Sequence, residues 1–208
     1  MIEAVLWDFG GVFTASPFHS TRSYADALGV EHQRLLDTVF GPYHADTDHP
    51  WHRVERGELA LAAALDEVTR TAVTDLHGEF DMKAFFGAMR DEVDRSFVVE
   101  AVRTLRERGI RHVIVTNNAR EFAASWTAMV PMELFDDLVD SSAVGVRKPN
   151  PEIYRLAMQR AGVSAPGRAV FLDDFEPNVA AARELGLHGI VVGADPRAAI
   201  DALFALVG

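Results

Sequence analysis

Hydrophobic and polar positions alternate along this chain in two rhythms. From Val98 onward, "VVEAVRTLRERG", "NPEIYRLAMQRAG", "PNVAAARELG" and "DPRAAIDALFALV" space their apolar residues three and four apart, which predicts amphipathic helices. Gly109 and Gly162 are stop signals for the first two, and Asn150 followed by Pro151 is a start signal for the second. Between these helices stand "RHVIVTNN", "AVFLDD" and "GIVVG", continuous apolar runs too short for helices, and "VLWDFGGVFT" opens on a similar run. Runs of that kind predict strands buried on both faces, and strands alternating with helices predict an α/β fold with a parallel sheet covered on both sides.

Residues 17–96 follow another pattern. "YADALG", "ELALAAALDEVTR" and "MKAFFGAMRDEV" have helical spacing, no strand stands out, and the segment is too long for a simple connection. It is expected to be a helical cap inserted after the first strand, so the core is discontinuous, 1–16 and 97–208. No internal repeat or low-complexity tract is evident.

Three apolar runs end in polar residues: Asp8, Thr116 with Asn117, and Asp173 with Asp174. Ligands of parallel sheets collect beyond the carboxyl ends of the strands, so these residues are expected to converge on one cleft. Taken singly, each has a plainer reading: a strand-end Asp caps a turn, Asn118 caps the next helix, and a lysine before proline, such as Lys148, is a solvated loop residue. Adjacent acids after "VFL" are harder to explain without a partner, because a half-buried carboxylate is costly.

Composition narrows the chemistry. With 208 residues, 49% of them hydrophobic, the chain can bury one good core and a smaller appended unit. A formal net charge of -11 argues against a nucleic acid partner, and an anionic substrate would need local positive charge from a lysine or a metal ion. The absence of cysteine excludes disulfides, thiolate nucleophiles and Cys-based metal sites. Glu3 and Asp8 near the start do not resemble a signal peptide, and no run is long enough to span a bilayer. A cytoplasmic protein with no membrane partner is the expectation.

Four pieces in order, "WDFGGVF", "VIVTNN", "VRKPNPEIY" and "FLDDFEPN", with a helical insert after the first, resemble the haloacid dehalogenase superfamily of hydrolases. The resemblance extends over nearly the whole chain. It is closest to the branch containing the phosphatase domain of soluble epoxide hydrolases and bacterial glucose-1-phosphate phosphatases, where "KPxPxIY" and "FLDD…N" also occur. It implies a Rossmann-like core with a C1-type helical cap, and a phosphatase acting on a small phosphorylated metabolite. Asp8 is then the nucleophile that forms an aspartyl-phosphate. Gly11 lets the backbone approach the phosphate, Thr116 and the Asn117 backbone N–H donate to its oxygens, and Lys148 pairs with Asp8 and the transferring group. Mg²⁺ is expected on Asp8, the backbone carbonyl of Gly10 and Asp174, with Asp173 orienting Lys148 or a metal-bound water, and Asn178 bonding to a water around the metal.

One position departs from that pattern. Phosphatases of the family usually carry an acid–base aspartate two residues after the nucleophile, where this chain has Gly10. Positioned acid–base catalysis is worth about 10²–10⁴ in rate, so its loss weakens hydrolysis and leaves the leaving-group proton unassigned. Related glucose-1-phosphate phosphatases also have glycine here. The expected consequence is a preference for good leaving groups, or an acid recruited from the cap. Two alternatives stay open. Dehalogenases of the superfamily use the same Asp on carbon without metal, although they usually have an aromatic residue at the Gly10 position and serine at that of Thr116. A binding or regulatory protein that has lost turnover would explain Gly10, but not the retention of Asp8, Lys148 and Asp174.

In the cap, "GPYHADTDHPWHRVERGEL" contains His44, Asp46, Asp48, His49 and His52, whose spacing matches no metal site; a polar loop is the expectation. By analogy with the family, Trp51, His52 and Arg53 are candidate substrate contacts, and Phe13, Thr14 and Phe18 are placed at the entrance or hinge. "AFFGAM" is expected to pack inside the cap; exposed, it would point to a homodimer.

Overall fold

The computed structural model describes residues 1–76, 80–89 and 93–208. Its sheet has five parallel strands, β1 (Ala4–Trp7), β2 (Arg111–Thr116), β3 (Asp137–Asp140), β4 (Ala169–Asp173) and β5 (His188–Val191), in the order β3-β2-β1-β4-β5. The central strand β1 aligns Trp7 with Ile114 on one side and with Leu172 on the other. Strand order reverses there: the chain runs outward from β1 to β3, then returns to place β4 on β1's free edge. Asp8 and Asp173 therefore emerge side by side at the switch point, where parallel sheets gather ligands.

Period-two alternation sends the strand residues to two cores. Val5, Trp7, Ile114, Val170 and Leu172 pack with Val98, Val102, Leu105, Ile200 and Leu203, and Ala4, Leu6, Val113, Val115 and Phe171 with Ile153, Tyr154, Ala157, Val179 and Ala182. Both faces are apolar because both are covered, which is why the strands have no polar side in sequence.

The insertion that follows β1 carries six helices among the described residues, α1 (Pro17–Ser20), α2 (Arg22–Leu28), α3 (His32–Phe40), α4 (Pro50–Glu55), α5 (Leu61–Asp75) and α6 (Met82–Ala88). They enclose a core of their own, with Leu35, Val39, Phe40, Val54, Val68 and Phe85. The helix expected over "MKAFFGAMRDEV" stops at Ala88, and residues 90–92 of that stretch lie outside the described residues. Phe85 is buried and Phe86 half-buried, so "AFFGAM" packs within the insertion.

After the insertion come α7 (Ser96–Glu107), α8 (Ala123–Thr127), α9 (Ser141–Val144), α10 (Pro151–Arg160), α11 (Glu176–Glu184) and α12 (Pro196–Val207). Asn150 caps α10 by accepting from the Glu152 N–H at 3.1 Å, with Pro151 at the first helical position. Strand β3 was not anticipated. It is four residues at the sheet edge, "DLVD", bounded by acids, and has neither an apolar run nor an alternation long enough to mark it. Among the described residues, no helix is long and apolar enough to cross a membrane.

Candidate active site

Three strand ends and one loop build the site. A cavity of about 80 Å³ beyond β1, β2 and β4 is lined by Asp8, Gly10, Thr116, Asn117, Lys148, Asp173, Asp174 and Asn178, with Phe18 and Tyr43 from the insertion. Asp8 follows the last residue of β1, and its Oδ1 accepts from the Phe9 N–H at 2.7 Å. Gly11 then takes a left-handed φ of 73°, and a Cβ on it would collide with the side chain of Asp174. The glycine thus permits both the sharp turn and the approach of the acid.

Lys148 is 1% exposed, and its Nζ lies 2.7 Å from Asp8 Oδ1 and 2.7 Å from Asp173 Oδ2. Burial works against the ammonium, but Asp173 and Asp8 outweigh it and hold Lys148 above the ordinary lysine range. Asp173 is fully buried; Oδ2 also accepts from Asn178 Nδ2 at 3.0 Å, and Oδ1 from the Phe175 N–H at 2.8 Å. The Lys148 backbone is held by Asn117: its N–H donates to Asn117 Oδ1 at 2.7 Å and its carbonyl accepts from Asn117 Nδ2 at 3.0 Å. Asn117 thus spends its side chain on the lysine loop.

Carboxylate oxygens of Asp8, Asp173 and Asp174 lie within 4.8 Å of one another, with the Lys148 ammonium bound to the first two. Burial first, then the charge of Asp173, raises Asp8 well above the usual carboxylate range, and the same two causes push Asp174 up to about 7. Asp174 Oδ2 and Asn178 Oδ1 are buried acceptors without a hydrogen-bond donor. Clustered acids, orphaned acceptors and oxygen-only donors are the chemistry of a hard divalent cation, so the residues present fit Mg²⁺.

Asp8, Thr116, Asn117, Lys148, Asp173, Asp174, Gly10, Asn178 and Phe18 line the cavity, and Gly11 stands behind it. Trp51 and Arg53 do not line it. The Trp51 ring packs against Phe40 inside the insertion and its Nε1 donates to Glu55, because an indole at that helix position is worth more as core. Arg53 lies near Asp48, at 3.8 Å, and Phe13 packs in the main core against Trp7. His52 is buried with Nδ1 accepting from the Thr47 N–H at 3.0 Å, and His49 caps α4. Asp46 pairs with Arg56, so the His/Asp-rich stretch forms caps and ion pairs; no metal-ligating cluster of it occurs among the described residues.

Two participants were missed. Tyr43 lines the cavity, and Arg147, fully buried, pairs with Glu55 of α4, Nε to Oε2 at 2.6 Å. A charged residue one step before Lys148 was the only available signal, and nothing local in sequence names its partner 92 positions away.

Comparison with known proteins shows the family. The family signature of haloacid dehalogenase-like hydrolases matches residues 2–186. The chain is 30% identical over 212 residues to acyl-CoA dehydrogenase family member 10 of Mus musculus, covering 99% of this chain and 19% of that protein. It is 31% identical over 204 residues to bifunctional epoxide hydrolase 2 of Sus scrofa, covering 92% of this chain and 36% of that one. It therefore spans only about a fifth to a third of the length of these relatives. Among solved structures, an enzyme of the same family from Bacteroides thetaiotaomicron, in complex with magnesium and inorganic phosphate, superposes with a TM-score of 0.62 at 18% identity, covering 92% of this chain and 94% of that one.

Proposed function

Given that the chain belongs to the haloacid dehalogenase-like hydrolases, we propose that it is a Mg²⁺-dependent phosphatase of a small phosphorylated metabolite, working through an aspartyl-phosphate on Asp8. The observation that carries this reading is the excess of carboxylate in the cleft: the described residues that line it include three acids and one lysine, and Asp174 Oδ2 is buried without a hydrogen-bond donor. A site that attacked a 2-haloacid without metal would have to admit the substrate's carboxylate beside these three acids, with Lys148 in the cleft and Arg95 interacting with Asp174 as the offsetting charges among the described residues. A site that takes a phosphate together with a divalent cation balances its charge.

In this reading Asp8 attacks phosphorus in line, the bond to the leaving oxygen breaks, and water then cleaves the acyl-phosphate. Lys148 offsets the negative charge shared by Asp8 and the phosphoryl oxygens, and Thr116 donates its hydroxyl to one of them. Asp8, the Gly10 carbonyl and Asp174 would hold Mg²⁺, which when bound supplies further charge neutralisation to the phosphoryl group. Asp173 keeps Lys148 aimed. Gly10 offers no proton, so the leaving group departs with one taken from water, and esters with good leaving groups turn over fastest. The cavity, about 80 Å³, takes the phosphoryl group beside Asp8 and Lys148. The leaving group then lies towards Phe18 and Tyr43, and the insertion serves as the cap over it.

Hydrolysis of p-nitrophenyl phosphate by wild type and Asp8→Asn, with Mg²⁺ and with EDTA, tests the proposal. Turnover is expected only for wild type with Mg²⁺. Halide release from a 2-haloacid in EDTA, without phosphatase activity, would replace this reading with the dehalogenase one. A screen of phosphorylated metabolites then identifies the substrate.

A further inference from the structure

We infer that Glu55 is a positioning residue for Lys148, acting through a closed ring of contacts that ties the helical insertion to the loop carrying that lysine. The inference rests on the reading of Lys148 as the cation that serves the reaction.

Glu55 ends α4 and is 2% exposed, yet both its oxygens are engaged. Oε2 accepts from Arg147 Nε at 2.6 Å, while Oε1 accepts from the Tyr43 hydroxyl at 2.7 Å and from Trp51 Nε1 at 2.9 Å. Tyr43 in turn accepts from Asn117 Nδ2 at 3.4 Å, and Asn117 holds the Lys148 backbone from both sides. Arg147 is the neighbour of Lys148 in the chain, so the path from Glu55 through Tyr43, Asn117, Lys148 and Arg147 returns to Glu55. The Arg147 guanidinium lies 4.7 Å over the Tyr43 ring and donates from Nη1 to the Ala45 carbonyl at 2.8 Å, which braces the same circuit.

A fully buried ion pair is a poor source of stability, because desolvating both charges offsets most of their attraction; fixing a register is its better-attested use. Here the register is that of Lys148, whose ammonium must sit between Asp8 and Asp173. An error of about 1 Å in such a group can cost about 100-fold in rate. Tyr43 is also a wall of the cleft, so a shift of the insertion pulls on the lysine backbone through two routes at once.

The test uses the full chain and three variants: Glu55→Gln, Tyr43→Phe and the double. Glutamine keeps an acceptor for Tyr43 and Trp51, and Asp46, 3.9 Å from Arg147, remains as a counter-charge, so the first variant is expected to fold. Tyr43→Phe removes only a hydroxyl and gives an independent break in the ring. With p-nitrophenyl phosphate and Mg²⁺, each single variant is expected to lower kcat by about 10-fold or more while KM stays within about twofold. The double variant is expected to be no slower than the slower single one, because a ring already open is not opened again. Losses that multiply, or an unchanged kcat with a lowered Tm, would reduce Glu55 to a structural clasp and overturn the inference.

A second measurement does not need turnover. Amide exchange across 145–149 is expected to rise in Glu55→Gln while that of β1 and β4 is unchanged; no rise there also overturns the inference. Should wild type show no Asp8-dependent activity, the phosphatase reading falls and exchange alone decides the ring.

Discussion

At Gly10 the chain has room for the group it lacks. A Cβ built there meets nothing within 4 Å, and its φ is outside the left-handed region, so an L side chain is accepted without strain. Gly11 is the opposite case, with a positive φ and Asp174 in the way. Substituting Gly10→Asp is therefore expected to leave the fold intact and restore a proton donor to the cleft. The kcat/KM for a simple alkyl phosphate, relative to p-nitrophenyl phosphate, should rise by about 10²-fold or more. An unchanged ratio would mean that another group already protonates the leaving oxygen. Gly11→Ala, in contrast, is expected to displace Asp174 and remove Mg²⁺-dependent turnover, measured by titrating activity against Mg²⁺.

The turn after α4 shows how an element's placement rests on one residue. Gly57, in "ERGE", has a φ of 69°, and a Cβ on it would strike the Ser142 carbonyl and the Arg120 guanidinium of the core. Gly29, at the end of α2, has a similar φ of 66° with nothing within 4 Å. Alanine at Gly29 is expected to cost only the left-handed strain, about 1–2 kcal/mol. Gly57→Ala carries the same strain and must also push the insertion away from α9, so urea denaturation should give it the larger loss. Equal losses would mean that the insertion moves off the core freely. The comparison separates backbone strain from the contact between insertion and core.

For the molecule as a whole, the acidic cleft sets a pH dependence that a metal should reverse. Asp174 is raised from 3.8 to about 7 in the folded protein, so the fold binds its proton more tightly than the unfolded chain does. The associated stability is complete below about pH 4, falls as pH rises through about 7, and then levels off. Metal-free protein is thus expected to lose Tm across that window, and Asp174→Asn to flatten the loss. Mg²⁺ competes with the proton for the same oxygens, so the rise in Tm on adding it should be larger at pH 8 than at pH 5, and should disappear in Asp174→Asn. Melting curves in EDTA and in Mg²⁺ at the two pH values check both statements. A Mg²⁺ effect equal at the two pH values would remove Asp174 from the metal site.

What was legible in the sequence came from features that repeat locally. Two-sided burial leaves continuous apolar runs, helices leave a three-to-four spacing, and acids at the ends of such runs mark β1 and β4, so the parallel sheet and the residues gathered at its switch point could be named in advance. The family motifs supplied Lys148, which no periodicity singles out. Strand β3 was hidden because an edge strand of four residues takes its identity from the hydrogen bonds of β2 and not from its own side chains. Trp51 and Arg53 lay in the right segment, but whether a side chain points to a cleft or to a core depends on how a helix is rotated when it packs. The Glu55–Arg147 pair belonged wholly to tertiary structure: charges 92 residues apart leave no mutual trace in either neighbourhood, and they meet only when the insertion settles on the sheet.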